Sequence, residues 1–250
     1  STQSTSVLID SFPPTILADT GLILDCNMVT PPVFISTVLL DGKGGFWVVD
    51  SMRVRYYDSL GNLISTHFTH GTVKITPQPG GGFVVEDDGR VRIYDSSGNL
   101  MSTIFTTGTV KIITLPGGKI IVIDDGRIRL YDANGNLVST LFTSGTVKVI
   151  IMPDGGFIVI DDGRVRRYDA NGNLMSTIFT SGVVKVIPLP GGGFIVQDDG
   201  RVRLYDANGN LMSTIFTTGT VKITPLPGGG FIVEDDGRVR LYDANGNLLS

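Results

Sequence analysis

The residues in this chain that could carry chemistry come in copies. Asp-Asp-Gly-Arg begins at Asp87, Asp124, Asp161, Asp198 and Asp235, and a lysine stands thirteen positions before each copy, at Lys74, Lys111, Lys148, Lys185 and Lys222. Two uses fit these groups. Carboxylate, guanidinium and ammonium groups gathered at one end of an array would make a repeated polar site for a sugar or another small polar ligand, built from Lys74, Asp88 and Arg90 and their copies Lys111, Asp125, Arg127, Lys148, Asp162, Arg164, Lys185, Asp199, Arg201, Lys222, Asp236 and Arg238. Alternatively, Asp88, Arg90, Arg92 and Lys74 neutralise one another as a cross-strand charge ladder. Taken alone, the lysines would form a positive collar for an anion, which the neighbouring aspartates weaken. Asp132-x-Asn134-Gly135-Asn136 resembles part of a calcium loop, but its glycine is displaced and no closing acid follows. Asn-Gly between two strands is already accounted for as a hairpin turn. No metal site is expected. Cys26, His67 and His70 are the only other candidates, with no zinc spacing among them; His67 takes the place of Ile104 or Leu141 in sister copies.

The elements that position these groups follow from the period. Gly-Asn-Leu starts at Gly61, Gly98, Gly135, Gly172, Gly209 and Gly246, each step 37 residues without slippage. A fixed period of this size marks an array of supersecondary units. In the unit Thr109–Gly145 the apolar runs Thr109–Thr114, Ile120–Ile123, Ile128–Tyr131 and Leu137–Phe142 are separated by Pro-Gly, Asp-Gly and Asn-Gly turns. The pattern predicts four short antiparallel strands, a to d, and no helix. Four strands per unit fit one blade of a β-propeller. The expected fold is all-β: six tandem units over residues 34–250, the last stopping within strand d, preceded by diverged strands in residues 1–33. Strands are expected there at Val7–Ile9, Thr15–Ala18 and Leu22–Leu24, as a partial or closing blade, so the array has six or seven blades in one structural domain.

Arg129 to Leu137, Arg-Leu-Tyr-Asp-Ala-Asn-Gly-Asn-Leu, resembles blades of quinoprotein-type and NHL-type propellers in its strand, Asp-x-x-Gly turn and returning strand. The resemblance covers all six units and is one of blade grammar. It brings no quinone-binding residues with it, so no cofactor is expected. The same segment is similar to the Tyr-Asp repeats of secreted shell-forming bacterial proteins. Residue parity bears on that second reading: Val73, Ile75, Phe83, Val85, Val91 and Ile93 share one parity, and Lys74, Thr76, Glu86, Asp88, Arg90, Arg92 and Tyr94 the other. A shell would leave the second set wet, whereas a propeller would bury it with its charges paired.

Composition narrows the function. The net charge of −4 offers no basic surface for nucleic acid. No apolar run reaches the ~20 residues of a membrane span, and one cysteine excludes an internal disulfide framework. Five near-copies do not make the asymmetric constellation an active site needs. The expected function is therefore a non-enzymatic binding or scaffold protein, with carbohydrate or another protein as partner and self-association through an incomplete blade. The setting leans to the extracellular space or cell surface. The rivals are a structural matrix protein without small ligand, and a hydrolase sited around Cys26, His67 and His70. Copies also differ informatively. Among Glu86, Ile123, Ile160, Gln197 and Glu234 and the matching Thr76, Ile113, Ile150, Ile187 and Thr224, Thr goes with Glu and Ile with Ile twice, as expected of neighbours on the a–b hairpin with correlated packing or of a shared duplication history, and Arg167 breaks a run of Leu130 and Leu204. Tyr94, Tyr131, Tyr168, Tyr205 and Tyr242 are expected to pack between strands, and Trp47 in the core.

Overall fold

The structure is a computed structural model, and it describes residues 4–5, 37–50 and 52–250. The expected strands at Val7–Ile9, Thr15–Ala18 and Leu22–Leu24, and Cys26, lie outside the described residues. The strands form six antiparallel sheets in chain order. The first holds β1 (Ser4–Thr5), β2 (Thr37–Leu40), β3 (Phe46–Val49), β4 (Arg53–Tyr57) and β5 (Leu63–Phe68). The second holds β6 (Lys74–Pro77), β7 (Phe83–Asp87), β8 (Arg90–Tyr94) and β9 (Leu100–Phe105); the third β10 (Lys111–Thr114), β11 (Ile120–Asp124), β12 (Arg127–Tyr131) and β13 (Leu137–Phe142). The fourth holds β14 (Lys148–Ile151), β15 (Phe157–Asp161), β16 (Arg164–Tyr168) and β17 (Leu174–Phe179); the fifth β18 (Lys185–Pro188), β19 (Phe194–Asp198), β20 (Arg201–Tyr205) and β21 (Leu211–Phe216). The sixth has β22 (Val221–Pro225), β23 (Phe231–Asp235) and β24 (Arg238–Tyr242), with a single bridge from Tyr242 to Leu248 on its outer side. Apart from one 3-10 turn at Pro116–Gly118, no helix occurs among the described residues. The chain divides into two compact units, Ser1–Thr109 and Val110–Ser250.

Within each unit successive sheets stack face to face. In the fourth sheet Phe157, Val159 and Tyr168 pack on Ile121, Ile128 and Leu130 of the third. Its other face, with Ile158, Val165 and Ile178, packs on Val186, Phe194, Val196 and Tyr205 of the fifth. In the other unit Trp47 and Val54 of the first sheet meet Ile75, Phe83, Val85 and Tyr94 of the second. Each fully buried residue of this size contributes about 1.5–3 kcal/mol, so an inner sheet draws stability from both sides. That is the behaviour expected of blades and not of a shell with one wet face.

The parity reading needs a correction. Val85 pairs with Arg92 and Phe83 with Tyr94, while Val84 pairs with Ile93 and Glu86 with Val91. Val91 and Ile93 therefore lie on the face opposite Phe83 and Val85. The cause is the two-residue turn Asp88-Gly89: it makes every paired β7 and β8 residue differ by an odd number, so parity switches across it. Both faces carry apolar residues, and the apparently polar set is divided between them.

Candidate functional site

The Asp-Asp-Gly-Arg turn is built around its first aspartate. Asp161 closes β15 and pairs in register with Arg164 at the start of β16, leaving only Asp162-Gly163 in the turn, where Gly163 takes φ +73°. The Asp161 side chain is 0 % exposed. Its Oδ1 accepts from Arg164 Nε at 2.9 Å, and its Oδ2 from Arg164 Nη2 at 2.9 Å, Ser144 N at 3.0 Å and Arg166 Nη2 at 3.5 Å. The two arginines also donate to the carbonyl of Phe142, at the end of the preceding sheet's last strand, at 3.2 and 3.1 Å. One hub thus ties the b–c hairpin, the d–a loop and the neighbouring sheet. Asp87 repeats it with Arg90, Arg92, the His70 N–H and the Phe68 carbonyl. Asp198 repeats it with Arg201, Arg203 and the Ser181 N–H, and Asp235 with Arg238, Arg240 and the Thr218 N–H. Burial alone would raise the carboxyls of Asp87, Asp161 and Asp198; the arginine forks and the backbone N–H outweigh it and hold them below the ordinary range.

The residues singled out from the sequence are distributed differently. Arg90, Arg164, Arg201 and Arg238 are structural members of the hubs, as Arg127 is with Asp124. The charge ladder is centred on Asp87, not on Asp88. Asp88, Asp125, Asp162, Asp199 and Asp236 are exposed at the turn tips; the Asp88 N–H donates to the His70 carbonyl, which places the b–c turn beside the d–a loop as expected. Lys74 and Lys222 pair across the sheet with Glu86 and Glu234, at 3.9 and 3.1 Å. Lys111, Lys148 and Lys185 face Ile123, Ile160 and Gln197 in register. The co-varying Thr76 and Glu86 are diagonal neighbours, because Thr76 pairs with Val84 and Lys74 with Glu86. The first aspartate was the missed member of the ladder; its signal was the Asp-x-x-Arg-x-Arg spacing around a two-residue turn.

The other expectations resolve as packing. Asp132 Oδ1 accepts from the Asn134 and Asn136 N–H groups at 2.9 Å, and its Oδ2 from Asn136 Nδ2 at 3.2 Å, so its oxygens are engaged within the turn. Tyr168 and Tyr205 stack on Phe157 and Phe194 at 5.1 and 5.3 Å. Trp47 is buried. His67 lies against Tyr94 at 3.9 Å, with Nε2 3.0 Å from Ser65 Oγ, and burial together with the Arg92 charge lowers its pKa to about 4. His70 is exposed and enters the hub only through its backbone N–H.

A surface feature that the sequence did not indicate lies at the outer rim. An open groove of 580 Å³ runs between β17 and the c and d strands of the fifth sheet, lined by Ser176, Thr177, Phe179, Arg201, Arg203, Tyr205, Asn210 and Leu211, among others. Phe179 on its edge is 73 % exposed, and Phe142 and Phe216 recur in the same position with like exposure.

The family described as MORN repeat variant matches residues 161–181 and 198–217, two short segments spanning the b–c turn and strand d. No curated protein matches. Among solved structures, the crystal structure of the eukaryotic initiation factor is 14 % identical over 84 % of this chain and 62 % of its own, with a TM-score of 0.57. Kluyveromyces lactis Hsv2 is 13 % identical over 82 % and 72 %, with a TM-score of 0.45. BamB from Moraxella catarrhalis is 19 % identical over 83 % and 70 %, with a TM-score of 0.41. The sheets are β-propeller blades. At these identities the likeness concerns the fold alone.

Proposed function

We propose that this protein is a non-enzymatic repeat scaffold that binds carbohydrate at several equivalent positions. The observation that carries the reading is the division of polar groups. The buried aspartates and their arginines are committed to holding sheets together, and what remains for a ligand is exposed and recurs every 37 residues. The rim groove offers the hydroxyl groups of Ser176 and Thr177 and the amide of Asn210 beside an exposed Phe179 ring, a pairing of apolar platform and polar groups that suits a sugar. Arg201, one of the site residues expected from sequence, lines it, and the turn-tip aspartates and strand-a lysines supply further contacts on the blade-top side. Several weak, equivalent sites gain by avidity and not by depth.

A glycan array probed with labelled, size-verified protein tests this. Dose-dependent binding to one sugar family, lost in Phe142→Ala/Phe179→Ala/Phe216→Ala, is the expected result. A blank array with folded protein would shift the function to a structural body without small ligand.

A further inference from the structure

We propose that the cleft between the fifth and sixth sheets binds a small aliphatic primary amine as its alkylammonium ion. Three joints of the unit Val110–Ser250 compare at one place, the end made by the a–b and c–d turns, from which strand d of each sheet runs away. Between the third and fourth sheets, Lys119 reaches across from its a–b turn, and its Nζ donates to the Ala170 carbonyl at 2.7 Å. The charge is felt on the c–d turns of both sheets. Hydrogen bonding from the Asn136 N–H is the main cause of the lowered Asp132 carboxyl, and at Asp169 burial opposes the Asn173 hydrogen bonds; the Lys119 ammonium lowers both further. Between the fourth and fifth sheets the cation comes from another position. Gly156 stands in the place of Lys119, and Arg167 Nε donates to the Ala207 carbonyl at 3.2 Å.

Ala170 and Ala207 are one repeat position, so the same carbonyl takes a cation at both joints although the donor's place in the repeat differs. Between the fifth and sixth sheets that carbonyl is Ala244, but Gly193 stands where Lys119 does and Leu204 where Arg167 does. A cleft of 200 Å³ opens there, lined by Leu189, Gly193, Leu204, Asp206, Met212 and Ala244, among others. The acceptors are thus kept and the chain's own cation is not. Leu189, Leu204 and Met212 offer walls for a stem like that of a lysine. The Ala244 carbonyl and the carboxylates of Asp206 and Asp243, which repeat Asp132 and Asp169, offer charge-assisted hydrogen bonds to an ammonium. An uncharged alcohol of the same shape forgoes that charge assistance. The cleft is separate from the rim groove, which lies at the joint of the fourth and fifth sheets.

Titration of the full chain with n-butylammonium chloride, followed by NMR of the backbone amides and methionine methyls, tests this. Saturable shifts are expected at the Ala207 and Ala244 amides and the Met212 methyl, with a midpoint on the order of millimolar for a ligand of about five heavy atoms. Neither n-butanol nor sodium chloride at equal concentration should reproduce them. Gly191→Asp/Leu204→Arg copies the Asp154–Arg167 pair into this joint, where a Cβ on Gly191 meets open space, and should abolish the shifts. Lys119→Gly converts the turn 115–119 to the Leu-Pro-Gly-Gly-Gly already present at 189–193 and 226–230, so the fold is kept, and should add a second set of shifts at Ala133 and Ala170. An unaltered chain without saturable shifts overturns the proposal. So do equal shifts with n-butanol, shifts that survive in the folded double variant, or a Lys119→Gly chain that gains none. The glycan result is independent of these outcomes, because the amine cleft and the rim groove lie at different joints.

Discussion

Arg167 is the sharpest stability test. Its side chain is 0 % exposed, and it stands where Ile93, Leu130, Leu204 and Leu241 stand in the other copies. Its Nη2 reaches Asp154 Oδ2 at 2.6 Å, Nε donates to the Ala207 carbonyl at 3.2 Å, and Nη1 donates to the Tyr168 carbonyl. Asp154 is itself a departure, replacing Gly80, Gly117, Gly191 and Gly228, and is 52 % exposed. The asymmetry in burial fixes the signs. Asp154→Gly leaves a buried guanidinium without its counter-ion; breaking a buried pair costs about 3–5 kcal/mol, and the exposed partner places this one near about 3. Arg167→Leu removes the buried charge and leaves only an exposed carboxylate. Leu130 and Leu204 already pack closely against where a Cβ would stand on Gly172 and Gly246, and Gly209 offers residue 167 the same slot. Replacing a buried pair by well-packed apolar groups is neutral or stabilising by about 1–4 kcal/mol, so Arg167→Leu and the double variant should both match or exceed the unaltered protein. Urea denaturation followed by circular dichroism on the four members of the cycle measures the coupling. If Asp154→Gly is silent while Arg167→Leu unfolds the protein, the reasoning is refuted.

The hubs give a paired test: Asp161→Asn should lose about 3 kcal/mol by leaving Arg164 and Arg166 uncompensated, while Asp162→Asn at the exposed turn tip should stay within about 0.5 kcal/mol; equal losses in urea melts would contradict the assignment. His67, with its pKa depressed to about 4, contributes stability that is complete above its unfolded value of about 6.5 and is lost as pH falls toward 4. Since the ring is only partly buried, the effect is discounted to about 1 kcal/mol, and comparing His67→Ile with the unaltered chain at pH 7 and pH 4 should isolate it; identical pH profiles would rule it out. The hub aspartates act lower, their contribution being present above about 4 and lost only as pH falls through their depressed values. Finally, a Cβ on Gly193 would come within 2.6 Å of the Tyr205 carbonyl oxygen, while one on Gly191 meets open space; Gly193→Ala should lower the thermal midpoint and Gly191→Ala leave it, with the reverse order counting against the register.

Much of the architecture was legible because turn chemistry is local. Leu137–Phe142 was read at its observed bounds, and Ile120–Asp124 and Arg127–Tyr131 differed only in that Asp124 and Arg127, assigned to the turn, pair with each other at its mouth. The loss of face across Asp125-Gly126 followed from an even loop, a feature that residue parity alone does not carry. The site was harder to read. Asp87 and Asp88 are adjacent and chemically identical, and only the three-dimensional meeting of the β7 end with the d–a loop makes one a buried hub and the other a surface group. Arg167 stood out from its copies, but its partner Asp154 was legible only as a second departure in the same unit. The rim groove joins segments from two sheets and has no contiguous signature.

The departures from the repeat have a consequence for assembly. A chain of near-identical modules has no intrinsic order: the Phe142 carbonyl would satisfy the arginines of any copy as well as those of its neighbour, and misordered stacks are a characteristic hazard of repeat proteins. The Trp47–Phe83–His67–Tyr94 cluster at one joint, the Arg167 reach to Ala207 at another and the Lys119 ammonium on the Ala170 carbonyl at 2.7 Å at a third each make a fit that the consensus copies do not duplicate. They act as address labels, telling each sheet which neighbour is its own.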